Sequence, residues 1–257
     1  MRIASFNINN INKRLENLLA WLAKAKPDVA CLQELKAGQG AIPADALRDV
    51  GYEAVWSGER PWNGVAILAR DHVPALVRSS LPGNPQDFQA RYFEAAVNGI
   101  LIASPLSPQW QSPARAKIRL QAGVVRAPHR HTAELLTEGV PVVLAGDYNV
   151  VPTAQDIYRT RSLDHNALIQ TASRQAFARL LAQGWTDALR KLQPEGPLWT
   201  FWDYKRDRWP LDKGMRLDHF LLSPEMSERL ADGGVDRRVR GEDNASDHAP
   251  VWIVLDL

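Results

Sequence analysis

Val142-Val143-Leu144-Ala145-Gly146-Asp147-Tyr148-Asn149 is a short apolar run that ends in a carboxylate and, two positions on, an amide. Branched and small apolar residues in a run of this length read as a buried strand. Residues two apart in an extended segment point the same way, so Asp147 and Asn149 are expected to face one pocket. Asp147 would accept a proton from water there, and Asn149 would donate to a phosphate oxygen or orient that water. The plainer alternative is an Asx-type turn after a strand. Gly146 removes a side chain beside the pair, which favours close approach of a substrate.

The same form recurs elsewhere. Ser5-Phe6-Asn7-Ile8-Asn9 and Cys31-Leu32-Gln33-Glu34 also carry polar groups to the end of an apolar run, and Ser246-Asp247-His248-Ala249-Pro250 precedes the last one. Val29 to Leu32, Gly64 to Leu68, Gly99 to Ala103, Pro141 to Leu144 and Val251 to Leu257 read as strands. Leu15, Leu18, Leu19 and Leu22 recur at helical spacing up to Pro27, and Ala176, Phe177, Leu180 and Leu181 mark a second helix closed by Gly184. Strands alternating with helices predict an α/β architecture. With 257 residues, 45% of them hydrophobic, and no low-complexity linker, residues 1–257 are expected to form a single domain.

Bulk properties exclude more than they assign. A net charge of +2 gives no global field for nucleic acid, so any basic face must be local. The one cysteine, Cys31, sits in an apolar run and reads as a buried small hydrophobe. No disulfide within the chain, no signal-type apolar stretch and no membrane-length segment predict a cytoplasmic protein with no membrane partner, and a monomer is the default expectation. There is no His/Cys cluster at zinc spacing and no phosphate-binding glycine loop.

Glu34 at a strand end suits Mg²⁺, which prefers one or two carboxylates plus waters and substrate oxygens. Alone it would be a solvated surface acid. Asp218, in Arg216-Leu217-Asp218-His219, is the candidate partner of His248: an Asp–His pair fixes the imidazole tautomer and stabilises the cation. Asp247 then remains free for metal. His129, His131, His165 and His219 lack such a setting and read as structural.

Taken together these residues resemble the exonuclease III family of abasic-site endonucleases, within the endonuclease/exonuclease/phosphatase superfamily. The motifs are Phe6-Asn7-Ile8-Asn9, Leu32-Gln33-Glu34-Leu35-Lys36, Gly51-Tyr52, Gly64-Val65-Ala66-Ile67-Leu68, Gly146-Asp147-Tyr148-Asn149-Val150-Val151-Pro152-Thr153, Arg216-Leu217-Asp218 and Ser246-Asp247-His248-Ala249-Pro250, in family order over nearly the whole chain. The resemblance implies a four-layer sandwich of two facing β-sheets with helices on the outer faces and the site at one end. It implies Glu34 as the main Mg²⁺ ligand, with Mn²⁺ as a substitute, and Asp247 as a nearby metal carboxylate. Asp147 would activate water, Asn149 and Asn7 would position groups around the phosphate, and His248, oriented by Asp218, would stabilise the phosphoryl oxygens. The implied reaction is hydrolysis of duplex DNA 5′ to an abasic site, with 3′-phosphodiesterase and 3′→5′ exonuclease activity by the same chemistry. Trp199 to Tyr204 resembles the family's aromatic loop. With neighbouring cations it offers Phe201, Trp202, Arg206 and Arg216 as DNA contacts, and more weakly Trp209. Arg91, Arg208, Arg237, Arg238 and Arg240 are further candidates for phosphate. Two other readings share the residues: a phosphodiesterase of the superfamily acting on lipid or small-molecule phosphoesters, and a non-catalytic DNA-binding relative.

One segment departs from the pattern. The family usually carries a Tyr-x-Pro-x-Gly-type turn after the strand that ends at Ala103, and its tyrosine reaches the active site. Here the chain reads Ser104-Pro105-Leu106-Ser107-Pro108-Gln109-Trp110-Gln111. Back-translated and moved one base, Pro105 to Gln111 permits Leu-Tyr-Leu-Pro-Asn-Gly, and Lys117 to Ala122 permits Lys-Phe-Asp-Tyr-Lys-Leu. We favour a shifted frame over roughly 105–130, with normal register back by Thr132 to Leu136, above a divergent loop; sequencing the coding DNA decides between them. Read as written, Leu106 cannot donate a hydrogen bond, and loss of one transition-state donor costs on the order of 100-fold in rate.

Overall fold

A computed structural model describes residues 1–82, 89–105, 126–158, 167–169 and 171–257. Its strands are β1 (Arg2–Asn7), β2 (Val29–Gln33), β3 (Tyr52–Ser57), β4 (Val65–Arg70), β5 (Ala75–Arg78), β6 (Tyr92–Val97), β7 (Ile100–Pro105), β8 (Val142–Asp147), β9 (Thr186–Asp187), β10 (Asp218–Leu222), β11 (Leu230–Val235) and β12 (Val251–Leu255). The helices are α1 (Leu15–Ala25), α2 (Ala44–Asp49), α3 (Arg126–Thr137), α4 (Thr171–Leu181), α5 (Ala188–Leu192), α6 (Pro224–Glu228) and α7 (Arg237–Arg240). The strands form two mixed sheets of six, ordered β11-β12-β1-β2-β4-β3 and β5-β6-β7-β8-β10-β9.

The period of two along each strand builds the layers. Ile3, Val29, Cys31, Val65 and Ile67 of the first sheet meet Phe93, Ala95, Ile102, Val143, Ala145 and Phe220 of the second in one inter-sheet core. The alternate residues Ala4, Phe6, Ala30, Leu32 and Leu68 face outward onto Leu18, Trp21 and Leu22 of α1 and Leu47 of α2. On the far side Val142, Leu144 and Leu221 pack with Leu135 of α3 and Phe177 of α4. The result is the expected four-layer α/β sandwich. Cys31 is fully buried, and burial pushes its thiol up to about 12. No helix of the described residues is long and apolar enough to cross a membrane.

This alternation places the site. On β1 and β2 the inward positions run Ile3, Ser5, Asn7 and Val29, Cys31, Gln33, and the parallel register sets Asn7 beside Gln33. On the second sheet the antiparallel register sets Asp147 opposite Asp218. Polar residues that end an inward row therefore meet at one end of the sandwich. The segment that breaks the family pattern falls mostly on residues 106–125, outside the described residues. Pro105 closes β7, and Thr132 to Leu136 lie within α3.

Candidate active site

Asp147 is the centre of the constellation. Its Oδ1 accepts from the Asn149 backbone N–H at 2.8 Å, and its Oδ2 accepts from Asn7 Nδ2 at 2.9 Å and Asn149 Nδ2 at 3.2 Å. The first of these bonds is an Asx turn, and Asn149 sits at φ 47°, past the end of β8. The expected extended spacing is thus replaced by a turn that still brings both side chains together. Gly146 has a different reason from the expected one. A Cβ there would lie 2.0 Å from the Pro105 carbonyl oxygen, so the glycine admits the end of β7, not a substrate.

His248 and Asp218 form the expected pair. His248 Nδ1 donates to Asp218 Oδ2 at 2.8 Å, and the Thr200 hydroxyl donates to the same oxygen at 2.6 Å. His248 Nε2 lies 3.8 Å from Asp147 Oδ2. Suitable donor atoms of Asp147, Asp218 and His248 fall within 4.8 Å of one another. Desolvation raises the Asp147 carboxyl. His248 opposes that shift, the Asp218 and Glu34 charges add to it, and the outcome is about 7. Desolvation also works against the His248 imidazolium, but Asp218 overrides it by charge and hydrogen bond and holds the ring up to about 10.

Glu34 follows β2 at φ 53° and is 6% exposed. Lys36 Nζ lies 2.8 Å from Glu34 Oε2 and donates to Asn9 Oδ1 at 2.6 Å. Asn9 Nδ2 in turn donates to Asp247 Oδ1 at 2.8 Å. Asn9 thereby couples the two expected metal carboxylates through one amide and one ammonium. The tight three-residue cluster contains neither Glu34 nor Asp247, although Glu34 acts on Asp147 and Asp247 on His248 through their charges. Asn9, Lys36 and Thr200 went unassigned in the sequence. Asn9 had a signal in its motif, while a hydroxyl like that of Thr200 carries none. Glu34, Lys36, Asn9, Asn10 and Asn149 all adopt positive φ. Non-glycine residues in that region cost on the order of 1 kcal/mol each and gather at functional sites.

The DNA-contact candidates divide. Phe201 is half-buried, with its ring 4.9 Å from that of His248, and borders the pocket. Arg206 is exposed. Trp202 and Arg216 are corrections. Trp202 is fully buried, packed edge-on against Trp209 at 5.0 Å with its indole N–H on Asp212. Arg216 is 1% exposed and bonded to Asp156 Oδ1 at 2.8 Å and Asp187 Oδ2 at 2.7 Å. Neither reaches solvent: Arg216 meets acids distant in sequence, and Trp202 meets a ring and an acid of its own loop. Arg240 is likewise buried and donates to the Trp202 carbonyl. Arg237 pairs with Asp212, Arg208 stacks on Tyr158, Arg91 donates to Asn63, and Arg238 is exposed. Of the histidines read as structural, His219 is buried on the Val150 carbonyl, and burial lowers it to about 4. His131 pairs with buried Glu94, and His129 bonds Gln183 and the Ala176 carbonyl. His165 lies outside the described residues.

The donors are carboxylate and amide oxygens with a single imidazole and no thiolate. That set fits a hard divalent cation of the Mg²⁺ or Mn²⁺ type and does not suit a structural zinc. The Oδ1 of Asp218 is buried without a hydrogen-bond partner among the described residues.

A family model described as Endonuclease/Exonuclease/phosphatase matches residues 4–248. Exodeoxyribonuclease III of Haemophilus influenzae is 30% identical over an alignment of 268 positions, covering 98% of each chain. Among solved structures, a 3′-5′ exonuclease from Neisseria meningitidis superposes with a TM-score of 0.93 at 35% identity, and an AP endonuclease from Archaeoglobus fulgidus with a TM-score of 0.93 at 30% identity; both cover the whole of either chain.

Proposed function

This chain belongs to the endonuclease/exonuclease/phosphatase family, in its exonuclease III and AP endonuclease branch of metal-dependent phosphodiesterases, and from that premise we propose that it is a Mg²⁺-dependent DNA repair nuclease that incises duplex DNA 5′ to abasic sites. We extend the reading to 3′-phosphodiesterase and 3′→5′ exonuclease activity at the same centre. The observation that carries it is the juxtaposition of a water-activating carboxylate with a protonated imidazole: Asp147 Oδ2 and His248 Nε2 stand 3.8 Å apart, each held by its own buried partners.

Asp147, oriented by Asn7 and Asn149, takes the proton of the attacking water. His248, kept cationic by Asp218 and backed by Thr200, donates toward a non-bridging phosphoryl oxygen and stabilises its developing charge. A divalent cation on the Glu34 side of the pocket would neutralise further charge on the phosphoryl group. Phe201 supplies an apolar wall against which a base-less sugar can pack. Exposed Lys205 and Arg206 supply contacts to the phosphates. Such contacts make binding fall steeply with salt.

The test is incubation of the protein with duplex DNA carrying one synthetic abasic site, with Mg²⁺ and with EDTA, beside a small chromogenic phosphodiester. Metal-dependent nicking 5′ to the site supports the proposal. Hydrolysis of the small ester alone moves the protein to another substrate class, and DNA binding without turnover makes it a non-catalytic relative.

The rate should depend on pH with a defined sign. Asp147 acts only when ionised, and its carboxyl is raised from 3.8 to about 7. The incision rate is therefore expected to climb as pH rises through that value and then to level off. Added Mg²⁺ favours the ionised form, so the midpoint should move down as the metal concentration increases. Initial rates on a fluorescent abasic duplex from pH 5 to 9, at two metal concentrations, check both statements. A rate that falls with pH across this window contradicts the assignment of Asp147 as base.

A further inference from the structure

Gln33 ends β2 facing inward, in line with Val29 and Cys31, where the apolar inter-sheet core gives way to polar side chains. It is fully buried. Its Nε2 reaches Ser104 Oγ at 3.0 Å, Ser5 Oγ at 3.1 Å and the Cys31 carbonyl at 3.3 Å, and its Oε1 accepts from Ser5 Oγ at 3.4 Å. Ser5 and Ser104 are fully buried as well. Ser5 belongs to the first sheet and Ser104 to the second, so one carboxamide ties the two sheets together. A hydrophobic side chain of similar length would fill this volume without any need for hydrogen-bond partners.

The position of the tie is informative. Gln33 is followed at once by Glu34. Ser104 is followed by Pro105, whose carbonyl oxygen occupies the space that a side chain on Gly146 would need, and Gly146 is followed by Asp147. A short mechanical path thus runs from Glu34 through Gln33, Ser104 and Pro105 to Asp147. Apolar contacts between sheets are non-directional and permit sliding, whereas hydrogen bonds fix a direction and a distance. Loss of a positioning contact below a reaction centre costs rate even where the reacting groups are untouched.

We infer that Gln33 is a positioning residue: its hydrogen bonds to Ser104 and Ser5 set the separation between the acid that the first sheet contributes to the site and the base that the second contributes. The inference rests on the reading of the site given above. Gln33→Met keeps length and volume and removes the donor. Ser104→Ala removes the acceptor, and Ser104→Thr keeps it.

The experiment measures kcat and KM on the abasic duplex, Mn²⁺ affinity of the metal-free protein and thermal midpoint, for wild type, each single variant and the Gln33→Met/Ser104→Ala double variant. The expected result is a kcat about tenfold lower in Gln33→Met and in Ser104→Ala with KM little changed, and a double variant no worse than the poorer single. Ser104→Thr should keep near-wild-type kcat, and Mn²⁺ affinity should fall in step with kcat. A lowered thermal midpoint with unchanged kcat per folded molecule would overturn the inference, as would single effects that multiply in the double variant. If the wild type fails to cut the duplex, the functional proposal fails instead, and Mn²⁺ affinity alone decides: an unchanged affinity in both single variants overturns the role of Gln33.

Discussion

Asp147→Asn is expected to lower the rate of abasic-site incision about a thousandfold or more while changing thermal stability little. The amide is isosteric and keeps an oxygen for the Asn149 backbone N–H, which now binds Asp147 Oδ1 at 2.8 Å. It cannot take a proton from water. Two effects on stability oppose each other: the new Nδ2 faces the Asn7 and Asn149 side-chain amides that now donate to Asp147 Oδ2, and a buried charge is removed. Desolvation raises the carboxyl from 3.8 to about 7, so above neutral pH the fold holds an anion that it disfavours, opposite Asp218 in the register of β8 and β10. Neutralising it removes that penalty. Single-turnover rates and calorimetry on the same preparation read both effects. A variant that retains more than about a tenth of the wild-type rate would mean that another group activates the water.

Arg216→Met is expected to give the largest loss of stability, about 3–5 kcal/mol, seen as a thermal midpoint roughly 10 °C lower at neutral pH. The guanidinium is nearly inaccessible and holds Asp156 and Asp187 at once, while Arg190 Nη2 meets Asp156 Oδ1 at 2.6 Å. Burial alone would raise the Asp156 carboxyl, but Arg216 and Arg190 hold it well below the usual carboxylate range. A depressed carboxyl contributes stability above its unfolded value of 3.8 that is lost as pH falls. Without Arg216, the two acids relieve their repulsion by taking up protons. The deficit of Arg216→Met should therefore shrink as pH falls toward 4. Unfolding followed at pH 7 and pH 4 measures it, and an equal deficit at both would show that lost packing, not the uncompensated acids, carries the effect.

The same residues show what the sequence can and cannot disclose. Strand period and strand-end polarity are local properties, so Val29 to Leu32, Gly64 to Leu68 and Val142 to Leu144 could be placed from their own letters. Asn7, Asp147, Asn149, Asp218 and His248 stand together because each closes or flanks such a row. Most of the misses are non-local. Arg216 looks like a free cation until Asp156 and Asp187 fold beside it, 60 and 29 residues away in sequence. Trp202 sits among charged neighbours in the chain yet ends fully buried beneath Trp209 and Asp212. Gly146 invited a substrate, but the end of β7 takes its space. The link from Asp247 through Asn9 and Lys36 to Glu34 depends on left-handed backbone at three of those four residues, which no periodicity reports.

Mn²⁺ binding to the metal-free protein, followed by electron paramagnetic resonance, tests most directly whether Glu34 and Asp247, brought together from opposite ends of the chain, address one cation. One ion per chain is expected, with affinity falling about tenfold or more both in Glu34→Gln and in Asp247→Asn. Binding that survives either substitution intact would place these carboxylates in separate sites and contradict the account.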